Sequence, residues 1–277
     1  MSKASNVSGR KHMGIMDAVG HMMMDNNELH FAPSAPQDME RRWLVTLSAP
    51  LSAFNGDWVD DVPTGKEDEI IREGVEEMWD VRDRGSFEET ARWLTEQGHR
   101  EAYAPVWRAM LAMDQVRRNT PAFMRALLSV TFPAYYQLKV SRQMNYQALQ
   151  ESTGKTVQEL NEVMGGSGDL LDDLKNELAV PPEQITSLLA WDAVRLASLT
   201  RWAAQLGYIG ADEFERYAGG LAQQVRATYT GWPQISAAYV AAGFIWQPSE
   251  ARRENLTRTN RMLLKSAQSP YRQVAFS

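Results

Sequence analysis

The chain has 277 residues, 44% of them hydrophobic, no cysteine and a formal net charge of -6. This length and composition suit one large globular domain or two modest ones. The negative charge argues against a dedicated nucleic-acid-binding protein, which would need an excess of lysine and arginine. The absence of cysteine excludes disulfides, thiolate metal ligands and thiol nucleophiles, and it fits a reducing cytoplasm.

Neither an export signal nor a membrane span is predicted. The apolar stretch at residues 13–24 is broken by Asp17 and His21, unlike the uninterrupted core of a signal peptide. The most apolar long run, residues 122–140, contains two charged residues and a proline, so it falls short of the roughly 20 clean apolar residues that a bilayer requires. We therefore expect a cytoplasmic protein, or, if it is an effector, one exported by a route that needs no signal peptide.

The chain begins with a predicted arm and three predicted helices. Residues 1–35 mix polar residues with a methionine cluster and end among prolines, so we expect a loosely ordered N-terminal arm. Apolar residues at helical spacing predict a helix over residues 37–54, with Asn55-Gly56 as its stop, and another over residues 66–79. Ser86, followed three residues later by a glutamate, is typical of a capping box and predicts the third helix.

Further helices are predicted through the middle of the chain. Two of them cover residues 105–118 and 121–150. Thr156, with a glutamate three residues on, opens a short helix that we expect to end at Gly165-Gly166-Ser167-Gly168. Because clustered glycines disfavour a helix, this tetrapeptide is the best predicted internal boundary, and a separate short helix is expected over residues 170–178.

The last third of the chain continues the helical pattern. Predicted helices cover residues 182–206, 212–228 and 234–242, and Ser249 caps a basic helix that runs to about residue 266. No alternating strand pattern appears. The predicted fold class is therefore all-α, with about ten helices in a single compact domain.

The composition also suggests how that domain is bounded. The arm over residues 1–35 is followed by a helical domain over residues 36–247, which includes a less typical apolar stretch near residues 121–178. Residues 248–277 form a basic C-terminal helix and tail.

The central predicted helix carries the most informative residue of the chain. Read at 3.6 residues per turn, its apolar residues form one stripe, and Asp192 lies near the centre of that stripe. An ionised, unpaired carboxylate in a core is costly, so Asp192 needs a cation or several hydrogen-bond donors. Arg195, one turn later, is the nearest cation. It lies on the same flank as Trp191 and Trp202, on which a guanidinium stacks favourably.

Three segments together resemble a bacterial family called domain of unknown function 1266. They are Arg42-Trp43 through Gly56; Met78-Trp79-Asp80-Val81 with Trp93-Leu94 and Gly98-His99-Arg100; and, most specifically, Trp191-Asp192-Ala193-Val194-Arg195 with Arg201-Trp202, Gly207-Tyr208-Ile209, Trp232 and Tyr239. The resemblance covers most of residues 40–247 and leaves out the arm, much of residues 121–178 and the basic tail. It implies a helical bacterial protein and brings no activity with it.

Four residues are candidate catalytic groups. His99 and Arg100 follow the expected end of a helix, where a histidine is a candidate general base or proton donor, although capping is its commoner role. Arg100 is a candidate for binding a carboxylate or phosphate, or else for neutralising Asp192 or Asp80, which we favour. Asp192 and Arg195 complete the set.

Other positions are candidates for binding a ligand or a partner. They are Trp191, Trp202, Tyr208, Asn55, Trp79 and Asp80. At helical spacings, however, tryptophans are more often core residues. No metal is expected, because the four histidines show no zinc-binding pattern. No cofactor is predicted either, since the sequence lacks the glycine motifs of phosphate and dinucleotide sites.

Two hypotheses of function follow. We favour a non-catalytic interaction or accessory module with a buried Asp/Arg/Trp polar cluster, whose acidic stretch from Asp57 to Glu89 and basic C-terminal stretch contact a protein partner. The alternative is an enzyme, an effector or toxin-like hydrolase or transferase, that uses Asp192, Arg195, His99 and Arg100. An open cleft holding these four side chains favours the enzyme, and a sealed core favours the module.

Overall fold

A computed structural model describes residues 28–119, 124 and 146–277 of the chain. In these residues the backbone forms twelve α-helices and two 3-10 turns. The helices are α1 (Met39–Asn55), α2 (Asp68–Trp79), α3 (Arg84–Glu96), α4 (Arg100–Asn119), α5 (Tyr146–Thr153), α6 (Val157–Asn176), α7 (Leu189–Gln205), α8 (Phe214–Ala218), α9 (Ala222–Thr228), α10 (Trp232–Trp246), α11 (Glu250–Lys265) and α12 (Pro270–Gln273), and the 3-10 turns are Pro182–Gln184 and Gly219–Leu221. An isolated bridge between His30 and Trp58 is the sole β pairing in this part. The predicted all-α class is confirmed.

Helix α7 lies at the centre of the fold and packs against α1, α3, α8 and α10. Fourteen of its 17 residues are buried, so the helix is enclosed on nearly every side. The expectation of a single apolar stripe was therefore too narrow. The helix also begins at Leu189 rather than at residue 182, because Pro182–Gln184 forms a separate 3-10 turn before it.

Helix α1 has the boundaries that its sequence predicts. The Asp38 carboxylate accepts a hydrogen bond of 2.8 Å from the backbone N–H of Arg41, which satisfies a donor of the first turn. The helix ends where Gly56 turns into the left-handed region at φ 73°. The predicted stop at Asn55-Gly56 is confirmed.

The capping box of α3 lies three residues earlier than predicted. Asp83 is the N-cap, and its carboxylate accepts the backbone N–H of Ser86 at 2.8 Å. The Ser86 hydroxyl in turn accepts the backbone N–H of Asp83 at 3.1 Å. The prediction that Ser86 itself caps the helix was wrong, because an aspartate three residues before a serine offers the same reciprocal pair of hydrogen bonds.

Helix α6 starts as predicted and then continues through the predicted boundary. Thr156 and Glu159 form the expected capping box, with the Thr156 backbone N–H donating to the Glu159 carboxylate at 2.8 Å. The helix does not stop at Gly165-Gly166-Ser167-Gly168 but runs to Asn176. A Cβ atom on Gly166 would lie 2.6 Å from the Phe244 ring. The glycine there allows close packing of α6 against α10 and does not break the helix.

The remaining predicted helices differ from the structure mainly in their ends. The helix expected over residues 212–228 is divided by the Gly219–Leu221 turn into α8 and α9. The one expected over residues 234–242 is the longer α10. Most of the helix expected over residues 121–150 lies outside the described residues, and α5 covers its end. Ser249 caps α11 as predicted, accepting the backbone N–H of Arg252 at 3.2 Å.

Two arginines of the basic C-terminal stretch pair with acidic residues of the same chain. Arg253 bonds to Asp173, and Arg261 Nη1 lies 2.6 Å from the Glu177 carboxylate. Both partners lie at the C-terminal end of α6 and just after it, so these ion pairs fasten α11 to α6. The expectation that this stretch forms a basic surface for a partner is not supported for these two arginines.

The end of the predicted arm is attached to the body, and its first 27 residues lie outside the described part. The carbonyl of His30 accepts the backbone N–H of Val59 at 2.9 Å, and the backbone N–H of Ala32 donates to Asp60 at 2.8 Å. Residues 28–32 therefore run beside the loop that joins α1 to α2. None of the helices described is long and apolar enough to cross a membrane.

Candidate functional site

The Asp192 side chain is fully buried at the meeting point of α3, α4 and α7. Its Oδ1 accepts the backbone N–H of His99 at 2.9 Å, and its Oδ2 accepts that of Arg100 at 3.0 Å. Two guanidiniums add to these donors: Arg100 Nη1 lies 3.1 Å from Oδ2 and Arg195 Nη1 lies 3.5 Å from Oδ1. We call Asp192, His99, Arg100 and Arg195 the Asp192 cluster.

Through these contacts Asp192 caps α4. The first N–H groups of a helix lack partners within the helix, and the helix dipole favours a negative charge beside them. The carboxylate is supplied by α7, more than 90 residues along the chain from His99. This cap accounts for the start of α4 at Arg100, five residues before the predicted start at residue 105.

Gly98 makes room for the carboxylate. Its φ is 55°, in the left-handed region, and a Cβ atom at this position would lie 2.1 Å from Asp192 Oδ2. Both the backbone conformation and the close approach therefore require glycine. The sequence predicted Gly98 as a helix stop. The structure adds that it lies directly against the buried carboxylate.

Arg195 lies among three indole rings, which we call the tryptophan cage. The Arg195 Cζ is 4.7 Å from the ring centroid of Trp79, 5.0 Å from that of Trp191 and 5.9 Å from that of Trp93. Cation–π contacts of this kind offset part of the cost of burying a guanidinium. The predicted stacking of Arg195 on Trp191 is confirmed. Trp202, the other tryptophan on that flank, donates its indole N–H to Asp57 instead.

His99 is held as a neutral ring. Its Nδ1 lies 3.0 Å from Arg195 Nη1. Because a guanidinium can only donate, Nδ1 must accept, which leaves the proton on Nε2. Burial, with the positive charges of Arg195 and Lys155, lowers the pKa of His99 to about 3. A base with such a pKa is almost never protonated at neutral pH and accepts a proton poorly there.

Burial acts in opposite directions on the two charges of the ion pair. It raises the pKa of Asp192, and the backbone N–H groups of His99 and Arg100 act against that rise. It lowers the pKa of Arg195, and the Asp192 charge acts against that fall. Each partner thus stabilises the charged form of the other.

A second buried cation, Arg201, was not among the candidate residues. Arg201 is 1% exposed and, among the described residues, hydrogen-bonds only to neutral acceptors. Three of the acceptors are backbone carbonyls, those of Val62 at 3.1 Å, Trp58 at 2.7 Å and Pro63 at 3.1 Å. The other two are the hydroxyls of Ser48, at 3.0 Å, and Ser52. Burial lowers the pKa of Arg201 to about 10, so the group stays charged at neutral pH. Arg201 therefore fixes the loop between α1 and α2 to α7.

Trp202 and Asn55 belong to the surroundings of Arg201. The indole N–H of Trp202 donates to Asp57 Oδ2 at 3.3 Å, and Asp57 Oδ1 lies 3.0 Å from Lys66 Nζ. The same Lys66 ammonium donates to the Asn55 carbonyl. These two candidates therefore serve the α1–α2 loop, which contacts the other end of α7 from the Asp192 cluster.

The last two candidates also lie apart from the cluster. Asp80 ends α2 with a left-handed φ of 55°, is 76% exposed and pairs with Arg82. Tyr208 follows α7, and its backbone N–H donates to the Ala203 carbonyl at 2.9 Å. In the described part of the chain, neither side chain contacts the Asp192 cluster through a hydrogen bond or a ring.

Two surface grooves bear on the question of an open site. One, of about 430 Å³, lies where residues 34–36 pass Arg41, Gln205 and Phe214. The other, also about 430 Å³, lies between α3 and α8 with the 3-10 turn that follows α8. Neither is lined by a member of the Asp192 cluster. Within the described residues there is also no group of three histidine or acidic side chains placed to hold a metal ion.

Comparisons with known proteins give a family but no activity. No curated protein and no solved structure matches the chain. A family model described as "Protein of unknown function (DUF1266)" matches residues 74–276. This match includes the basic C-terminal stretch, which the resemblance in sequence left out, and it begins after the Arg42-Trp43 segment. Because the matched residues make up well over half of the chain, the chain belongs to the DUF1266 family.

Proposed function

We propose that this protein is a non-catalytic helical module that binds another protein, and that the Asp192 cluster holds its helices together. The observation that carries the proposal is the state of the Asp192 carboxylate. It is 0% exposed and is surrounded by two backbone N–H groups and two guanidiniums. A carboxylate that already meets four donors has no oxygen available to a substrate.

The other members of the cluster support the same interpretation. Arg195 is stacked within the tryptophan cage and hydrogen-bonded to His99, and Arg100 Nη2 donates to the Thr95 carbonyl at 2.7 Å. Their donors are used inside the fold, where they bring α3, α4 and α7 together. A phosphate- or carboxylate-binding arginine would instead present its guanidinium to a cleft.

The enzyme hypothesis makes a different prediction about Asp192. A catalytic carboxylate is often held against the preference of the fold, so its neutralisation leaves stability unchanged or raises it while activity is lost. If Asp192 is structural, its replacement leaves Arg100 and Arg195 without their anion in a buried setting. Breaking a buried ion pair in this way costs roughly 3–5 kcal/mol.

Urea unfolding of the Asp192→Asn variant separates the two hypotheses. Asparagine keeps the shape of the side chain but removes its charge, so we expect a clear fall in the unfolding midpoint. Asp80→Asn is the matched control, because Asp80 is an exposed aspartate that pairs with a single arginine. It should change the midpoint little. A midpoint for Asp192→Asn equal to that of the parent, or above it, would favour a catalytic site.

A further inference from the structure

The outward face of α2 presents an apolar row to solvent. Ile70 is 46% exposed and Met78 is 47% exposed. They are eight residues apart with Gly74 midway, so the three positions lie along one side of the helix. Gly74 has no side chain and leaves a gap between the two larger ones. The inner face is fixed by Ile71 and Val75, which are buried in the core.

Acidic side chains flank this row. Between Glu67 and Asp80 the sequence has seven acidic residues and one arginine, Arg72. Arg72 pairs with Glu69, and Arg82 pairs with Glu76 and Asp80. Glu73 and Glu77 lie beside the row, three and seven residues after Ile70, and pair with no lysine or arginine among the described residues. The row therefore combines exposed apolar side chains with uncompensated negative charge.

We infer that this face of α2 docks a basic amphipathic helix of a partner protein. Apolar side chains of the partner would pack on Ile70 and Met78 and into the gap at Gly74, while its lysines or arginines meet Glu73 and Glu77. The inference rests on the proposed function and names the partner that the module binds. Two copies of α2 would bring like charges together, and a nucleic acid would be repelled for the same reason.

The docking face is anchored to the core at the end of α2. Trp79, at the end of α2, is part of the tryptophan cage and stacks on Arg195 at 4.7 Å. The face is thus preformed, and a partner helix does not have to order it before binding, which limits the entropic cost of association.

Binding of a defined peptide tests the inference on the full chain. The probe is a fluorescently labelled peptide of about 18 residues, built from leucine and lysine with leucines at helical spacing. We expect saturable one-to-one binding by fluorescence anisotropy that weakens as salt rises. The double variant Ile70→Ser/Met78→Ser should weaken it at least about tenfold. The double variant Glu73→Gln/Glu77→Gln should weaken it and reduce its dependence on salt.

Matched controls show whether the effect belongs to this face. Val157→Ser replaces an apolar side chain of α6 that is 46% exposed, and Glu183→Gln removes an exposed negative charge. Neither should change binding. The inference is overturned if the peptide does not bind, if the controls weaken it as much as the α2 variants, or if an equivalent leucine–glutamate peptide binds equally well. Self-association of the chain that is lost in Ile70→Ser/Met78→Ser would also overturn it, by identifying a second copy as the occupant.

The two proposals fail separately. If the peptide does not bind while Asp192→Asn still lowers the urea midpoint, the partner class is wrong and the non-catalytic interpretation of the Asp192 cluster stands. If Asp192→Asn leaves the midpoint unchanged, the proposed function is wrong whatever the peptide does.

Discussion

The carboxylate of Asp192 caps the helix that begins beside His99, with Oδ1 2.9 Å from the His99 backbone nitrogen. This contact joins the central helix α7 to α4 through a charge-assisted hydrogen bond across a long sequence separation. It also explains why a carboxylate occupies a position where the helical pattern would otherwise place a leucine. The carboxylate satisfies the N-terminal N–H groups of α4, which an apolar side chain cannot do.

Gly98→Ala should destabilise the protein strongly. The new Cβ would lie 2.1 Å from Asp192 Oδ2 and would also sit at a left-handed φ. Strain at positive φ and overpacking each cost about 1 kcal/mol or more, so we expect a loss of at least about 2 kcal/mol in the free energy of unfolding. Urea titration gives the value.

A second glycine provides the control for that substitution. Gly154 also has a left-handed φ, of 69°, but no atom lies within 4 Å of its would-be Cβ. Gly154→Ala should therefore show the backbone strain alone. An equal loss for both variants would mean that the approach of Asp192 to Gly98 contributes nothing.

Arg195→Ala should cost roughly 3–5 kcal/mol, because it leaves Asp192 with one cation fewer and empties the tryptophan cage. Arg195→Lys keeps the charge but not the planar group that stacks on Trp79 and Trp191, so its loss should be intermediate. Unfolding followed by tryptophan fluorescence measures both losses of stability.

Arg216→Ala is the comparison, since Arg216 is 62% exposed, pairs with Glu213 and lies over the Tyr217 ring. A comparable loss in Arg216→Ala would show that burial is not what makes Arg195 important.

The sequence predicted Asp192 but not Arg201, and the reason is the environment of α7. A charged residue within an apolar stripe is visible in a helical pattern. Arg201 follows Asp192 by nine residues and so lies on the opposite side of the helix, which is the solvent side if only one face is buried. Because α7 is enclosed, that side is also core, and the acceptors of Arg201 come from α1 and the loop after it, far away in sequence.

Local patterns were ambiguous for similar reasons. The glycines at residues 165–168 are consistent with either a break or a close contact, and only the position of Phe244 decides between them. Ser86 and Asp83 both fit a capping box, and the hydrogen bonds select Asp83. The convergence of His99, Arg100 and Arg195 on Asp192 was among the predicted arrangements. Whether it formed a cleft or a sealed cluster depended on packing that helical spacing does not encode.

Stability should fall as the pH decreases from 7 to 5, in part because of His99. The pKa of His99 is lowered to about 3 in the folded protein from an ordinary value of 6.5. Neutral His99 therefore contributes stability that is fully present above about pH 6.5 and is lost as the pH falls toward 3. The contribution to the slope is at most about 1.4 kcal/mol per pH unit.

His99→Asn isolates that contribution, because the asparagine Oδ1 can replace Nδ1 as the acceptor for Arg195 without titrating. Urea midpoints at several pH values between 7 and 5 should decline less steeply in the variant than in the parent. Parallel declines would show that His99 remains free to take up a proton in the folded state.

Arg201→Lys should loosen the loop between α1 and α2 while leaving the Asp192 cluster intact. A lysine has its three donors on a single nitrogen, so it cannot reach all the acceptors that surround the wider Arg201 guanidinium. Several of those buried carbonyls and hydroxyls therefore lose their partner. Each unsatisfied buried group costs about 1–3 kcal/mol, and the total loss should exceed that of an exposed Arg→Lys substitution such as Arg216→Lys.

Hydrogen exchange gives the more specific result. The Trp58 N–H donates to the Thr64 carbonyl at 2.8 Å and the Val59 N–H to the His30 carbonyl at 2.9 Å, and both should exchange faster in Arg201→Lys. The His99 and Arg100 amides should keep their protection, since their acceptor Asp192 lies on the other side of α7. Equal acceleration at both places would mean that Arg201 supports the whole fold rather than this loop.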